Sequence, residues 1–384
     1  MSRTKWWLRN VSLLAAGMLF GIGGSSWAQE PYKVGAILPV TGPAAFLGEP
    51  EKKMILMMQD RVNAAGGING HPLQVIIYDS EADATKAVTA FKRLVEVDNV
   101  VAIVGPSTTG EALAVAPFAQ RAKIAMLPPV GASELTDPIK EWVFRPVVGN
   151  DRAVEKVIGH MKRTGVTKVA TVTPAMAYGE DARSEFVKRA PRAGIEVVVQ
   201  ETYRPTDTDM TPQLVRVKGA GAQAILSWNV HPSSVILVRN VKQLGLDVRV
   251  YHTHGWATPR YLKLAGPASD GNFIPSPKAN LPEALRDADP QKALIVRVKK
   301  EYASKYGEDV EYFAALGHDT LMLVVEALKK SGSDRAKLRD AIEQTKNYVG
   351  LTGVFNMSST DHAGLTEDSL IMLKAENGKF VMGE

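Results

Sequence analysis

Residues 100–129, VVAIVGPSTTGEALAVAPFAQRAKIAMLPP, decide the fold. VVAIVG is a short apolar run closed by glycine, the pattern of a strand buried on both faces. Ser107, Thr108 and Thr109 then stand where a helix needs side-chain oxygens to cap its first free N–H groups. The following turns are helical as far as Lys123, and IAMLPP is a second buried-strand run. Strand, helix, strand at this spacing is the unit from which parallel sheets covered by helices are built.

The same unit recurs on either side. Towards the N-terminus, YKVGAILPVTG carries an apolar run at 34–38. GEPEKKMILMMQDRVNAAGG follows, with Ile55, Met58 and Val62 at helical spacing and Gly66-Gly67 as a stop. INGHPLQVIIYDS reads as an Asn69-Gly70 turn and a strand. ADATKAVTAFKRLVEV is an amphipathic helix with Val88, Phe91 and Val95 on one face. After residue 150 the alternation begins again: DRAVEKVIGHMKRTG, KVATVT, YGEDARSEFVKRAPRAG, IEVVVQETY, TPQLVRVKGAG, QAILSW, SSVILVRNVKQLGL and VRVYHTH. Helices are predicted at about 286–306, 313–331 and 334–346, and short strands near 352–356 and 368–375. The chain is therefore an α/β protein of two doubly wound lobes with parallel central sheets.

In open parallel sheets, ligands bind beyond the carboxyl ends of the strands. TGPAAFLG, GPSTTG, PPVGAS, PAMAYGED, WNVHP and HTHGW each follow a strand and should face one cleft between the lobes. HTHGW belongs to YHTHGWATPR (251–260), which holds two of the seven histidines. A zinc site needs a third protein ligand. Neither a cysteine nor an H-E-x-x-H pattern supplies one, so no metal and no cofactor are expected. His252 is expected to pack within the fold and His254 to line the cleft.

Composition narrows the class. The absence of cysteine excludes disulfides, thiolate metal sites and cysteine nucleophiles. Residues 1–28 run from a basic segment (Arg3, Lys5, Arg9) through an apolar stretch to small residues ending at Ala28, the order of a cleaved secretory signal peptide. Without those three basic residues, 43 basic face 41 acidic side chains, a balance that argues against nucleic acid and against a polybasic membrane surface. GPSTT does not fit a G-x-S-x-G nucleophile elbow. VGAILPVTGPAAFLG lacks the G-x-G-x-x-G of a dinucleotide site. An exported α/β enzyme is thus the weaker reading.

VGAILPVTGPAAFLG, NAAGGINGHPLQVIIYDSEADATKAV, VVAIVGPSTTGEALAVAPFAQ, AYGED, AGPASDGNF and YGEDVEYFAALGHDTLMLVVEAL together resemble the type I periplasmic binding proteins. The likeness is to the leucine/isoleucine/valine-binding branch of ABC-importer receptors. It implies a three-crossing hinge, with one lobe formed by 29–148 plus 277–351 and the other by 149–276 plus 352–384. It implies a periplasmic, non-enzymatic, monomeric receptor that closes on a small molecule and is read by inner-membrane permease subunits. A ligand-sensing subunit for a membrane receptor is the alternative within the binding class.

The resemblance places a ligand carboxylate at Ser107, Thr108 and Thr109, at the N-terminus of a helix whose N–H groups favour an anion. A second loop corresponds to 130–133, where Val130 or Ser133 contributes. Tyr178 matches a cleft-facing tyrosine. The first-lobe aromatic position falls at Phe46 and Leu47, and another falls at Val230 or His231. His254 is a departure, because amino-acid-binding members carry there an acid that pairs with the ligand ammonium. Neutral imidazole supplies no negative charge, and a buried ammonium lacking one is costly. With Trp228 and Trp256 expected at the same mouth, the reading favours an aromatic acid or a 2-keto acid, a branched-chain amino acid standing as the alternative.

Overall fold

The computed structural model describes residues 29–383; the expected signal peptide, 1–28, lies outside the described residues. The first sheet consists of β1 (Tyr32–Leu38), β2 (Leu73–Asp79), β3 (Ala102–Val104) and β4 (Ala125–Leu127). Its order is β2-β1-β3-β4 and every pair is parallel. The helices α1 (Ala45–Ala64), α2 (Ala84–Glu96) and α3 (Thr109–Ala122) connect these strands. Strand side chains alternate between faces, and both faces are covered. Ile37, Ile103 and Met126 meet Phe91, Leu94, Val115 and Ala119 of α2 and α3. Val34, Ala36 and Val104 belong to the opposite core, with Met54, Ile55 and Met58 of α1.

The second sheet begins after α4 (Asn150–Arg163). It takes β5 (Lys168–Pro174), β6 (Glu196–Tyr203), β7 (Ala224–Ser227), β8 (Arg249–His252) and β9 (Phe273–Pro277), with α5 (Ala177–Arg189), α6 (Thr211–Gly219), α7 (Ser233–Gln243) and α8 (Pro259–Ala265) between them. Three helices then return to the first lobe: α9 (Lys292–Tyr306), α10 (Tyr312–Ser331) and α11 (Arg335–Glu343). Of these, α10 packs along α1 and adds Leu321, Val324 and Leu328 to its core. A small hairpin, β10 (Tyr348–Val349) with β11 (Val354–Phe355), precedes β12 (Leu370–Glu376) and β13 (Lys379–Met382).

Three features depart from the sequence reading. The second sheet, β13-β12-β9-β8-β7-β5-β6, is mixed: β12 runs antiparallel to β9 and β13 antiparallel to β12. The chain enters β12 from the other lobe, so no crossover helix imposes a parallel direction. β13 was not anticipated, although Asn377-Gly378, with φ of 52° and 73°, supplies the left-handed pair a tight hairpin requires. The boundary drawn at 351/352 falls inside the β10–β11 turn. The Leu351 and Thr352 N–H groups each donate to the Asp319 carboxylate of α10 at 2.7 Å. His362 stacks on Phe144 at 4.3 Å. The segment up to that point therefore stays with the first lobe, and the chain joins the second sheet at Leu370.

The first connection between the sheets is fixed by Arg145. This buried guanidinium donates to the Gly131 carbonyl at 2.8 Å and to Thr136 Oγ1 at 3.1 Å, and it lies 3.6 Å from Asp151. The other two connections follow β9 and precede β12.

Candidate functional site

A cleft of about 560 Å³ opens between the lobes. Its wall is drawn from the ends of β1, β3, β4, β5, β7 and β8, as the strand-end rule requires, and from the first turns of α10. Phe46, Leu47, Ser107, Thr108, Thr109, Val130, Tyr178, His231 and His254 all line it. Among the described lining residues there is no Lys or Arg, and Glu111 is the one acid. An anion entering this cleft meets hydroxyls, N–H groups and the positive end of α3 rather than a cationic side chain.

Thr108 caps α3, its side chain accepting from the Glu111 N–H at 3.4 Å. Ser107 is buried, and its Oγ lies 2.5 Å from Glu51 Oε2 of α1. Glu51 is almost completely enclosed, and burial pushes its carboxyl up to about 8 against the pull of Ser107 and with a push from Glu111. Glu111 is likewise raised by burial, against its hydrogen bonds with Thr108. The sequence reading missed Glu51, because it lies within a helix rather than at a strand end.

On the second lobe, β8 ends at His252, and His254 opens a short 3-10 turn, His254–Trp256. The turn separates two imidazoles that a continuing strand would have placed on one face. The His252 ring stacks on Trp256 at 4.1 Å, and its Nε2 lies 3.3 Å from Asn272 Nδ2. His254 instead faces Tyr312 edge-on at 5.5 Å. Its Nδ1 is buried without a hydrogen-bond partner among the described residues. Burial, reinforced by the Arg145 charge, pushes the His254 imidazole down to about 3, so it is neutral at ordinary pH. Tyr178 reaches towards it, with its hydroxyl 2.5 Å from Thr253 Oγ1.

Three expected residues lie outside the cleft wall. Trp228 is fully buried behind His254 and donates from Nε1 to Asn150 Oδ1 at 2.9 Å. Trp256 is also fully buried, between His252 and Tyr261, and donates to Ser234 Oγ. Each indole finds its N–H partner inside the lobe, which fixes it there. Ser133 begins a 3-10 turn, and its N–H donates to Asp181 at 3.2 Å. In their place the cleft gains Tyr312, Phe313 and Leu316 of α10, with Val147, while Val230 and His231, the two alternatives for one expected position, both line it. The α10 residues follow a loop rather than a strand, so the strand-end rule does not find them. No cluster of three or more metal-ligating side chains occurs among the described residues.

Known proteins share this fold. The family model for periplasmic binding proteins matches residues 31–379. The leucine-, isoleucine-, valine-, threonine- and alanine-binding protein of Pseudomonas aeruginosa is 29% identical over 86% of this chain and 87% of that protein. A Leu/Ile/Val-binding protein homologue of Brucella melitensis is 24% identical over 97% of this chain and 99% of its own length. Among solved structures, an extracellular ligand-binding receptor from Rhodopseudomonas palustris superposes with a TM-score of 0.86 at 25% identity, covering 92% of this chain and all of that one. The branched-chain amino acid transporter substrate-binding protein LivJ of Streptococcus pneumoniae, solved with isoleucine, shares the fold at a TM-score of 0.80 and 22% identity, over 91% of this chain and 97% of that one.

Proposed function

The chain belongs to the periplasmic binding protein family as a solute-binding receptor of the ABC-transporter kind, not an enzyme, and from that premise we propose that its preferred ligand is a small carboxylate without an ammonium group. An aromatic acid or a 2-keto acid fits this description. The observation that carries the reading is His254, a buried neutral imidazole with an unpartnered Nδ1 in the second-lobe wall. Depending on tautomer, that nitrogen donates to a carbonyl or accepts from a hydroxyl, but it cannot neutralise an ammonium. The apolar body of the ligand would rest on Phe46, Leu47, Val130, Val230, Phe313 and Leu316. Its carboxylate would take the Ser107–Thr109 loop and the first N–H groups of α3.

A branched-chain amino acid is the second reading. The ligands named for the relatives favour it, and so does Glu111, the one acid among the described lining residues, which lies beside Thr108 and could pair with an ammonium. Calorimetric titration with leucine, benzoate and 4-methyl-2-oxopentanoate separates the two. Tightest binding of benzoate or the keto acid is expected; tightest binding of leucine overturns the preferred class.

Residues 1–28 would direct export and be removed after Ala28, leaving a periplasmic monomer that presents its closed form to inner-membrane permease subunits. Genomic neighbours encoding a permease and an ATPase would favour this role over that of a sensor subunit.

A further inference from the structure

Beneath the anion-binding loop lies a carboxyl group that the ligand does not need for its own charge. Glu51, on α1, is 1% exposed, and its Oε2 sits 2.5 Å from the Ser107 hydroxyl. The groups that reach it are Ser107 from the loop, Glu111 from α3 and Tyr312 from α10, while the α10 backbone at Gly317 packs against its own backbone. No cation acts on Glu51 among the described residues. A serine hydroxyl has one proton to give. If Glu51 were a carboxylate, that proton would be committed to it, and Ser107 would turn lone pairs towards the ligand anion. If Glu51 carries the proton, its O–H donates to Ser107 Oγ and the serine proton is free to point into the cleft.

We propose that Glu51 is a positioning residue: held as the neutral acid, it donates to Ser107 Oγ and so aims the Ser107 hydroxyl at the ligand carboxylate, and its ionisation switches the loop off. This rests on the reading of Ser107–Thr109 as the carboxylate site, and it holds whichever carboxylate is preferred. The protonated state agrees with the direction in which burial pushes this group. The step is a proton rearrangement only: below the transition Glu51 keeps its proton, and above it the proton passes to solvent and leaves an anion under the loop.

The test is the pH profile of binding. Calorimetry with benzoate, 4-methyl-2-oxopentanoate and leucine is run on the wild type and on Glu51→Gln, whose amide N–H still donates to Ser107 Oγ. Between about pH 7 and pH 9.5 the wild type should lose roughly tenfold in affinity for whichever probe binds, while Glu51→Gln changes by less than about threefold. Comparing the two proteins cancels the titration of leucine's own ammonium. Parallel profiles, or wild-type affinity for the non-titrating acids that stays flat across this range, overturn the proposal. The ranking of the probes tests the ligand class separately.

A ligand-free measurement reads the proton itself. A carboxyl raised from 4.5 to about 8 binds a proton in the folded state that the unfolded chain has released, so stability falls as pH rises through that window. The wild type should therefore lose thermal stability relative to Glu51→Gln between about pH 5 and pH 8. Equal pH slopes in the two proteins also overturn the proposal.

Discussion

At position 254 the cleft presents an imidazole whose protonation is blocked by burial and by Arg145. Replacing it tests the ligand class from the protein's side. His254→Glu introduces a negative charge at a site where the acting cation, Arg145, is already engaged by Gly131, Thr136 and Asp151, and a ligand ammonium would supply a direct partner. The variant should weaken for benzoate and the keto acid and strengthen for leucine, read by paired titrations; unchanged ranking would remove His254 from the argument. At the other end of the ligand, Ser107→Ala/Thr108→Ala should cost roughly 1–3 kcal/mol of binding, the scale of hydrogen bonds to a charged group. Wild-type affinity in a double variant with unaltered thermal unfolding would exclude this loop as the carboxylate site. Position in the sequence showed where strands end, and so it found Ser107, Tyr178 and His254. It could not show which way a side chain turns after the strand. Trp228 and Trp256 were expected at the cleft because of their place in the chain, and both turned inward to hydrogen-bond partners far away in sequence, Asn150 and Ser234.

Secondary-structure elements set the loop in place before any side chain acts. β3 ends at Val104; Gly105 follows with φ at 91°, and a Cβ there would collide with the Ile37 carbonyl of β1. Only glycine allows the chain to turn so close to the neighbouring strand and deliver Ser107 and Thr108 to the start of α3. Gly105→Ala should destabilise the fold by roughly 2 kcal/mol or more, through left-handed strain and the clash together. Denaturant unfolding measures this, and a loss below about 0.5 kcal/mol would show that the turn relaxes freely. The parallel alternation of strands and helices was legible because buried strands and capped amphipathic helices leave periodic signatures. Less legible were elements defined by the path between lobes. The antiparallel entry of β12 and the contribution of α10 to the cleft follow from tertiary routing, which local periodicity does not encode.

At the scale of the whole molecule, the cleft is a joint between two lobes, each with its own covered sheet, tied by three chain connections. His254 and Tyr312 touch from opposite lobes, as do the neighbourhoods of Tyr178 and Gly131; opening would break these contacts. Neither lobe alone offers both the α3 N-terminus and His254, so a ligand that needs both has higher affinity for the closed arrangement and shifts the population towards it. On the proposed reading, closure would expel water from the cleft and so strengthen the neutral donors that a ligand carboxylate would meet. The most direct test is small-angle X-ray scattering of the protein without ligand and at saturation with the tightest-binding of benzoate, 4-methyl-2-oxopentanoate and leucine. The radius of gyration should fall on saturation, and the scattering curve should move towards that calculated for the closed lobes. Superimposable curves at proven saturation would contradict a receptor that works by closing on its ligand.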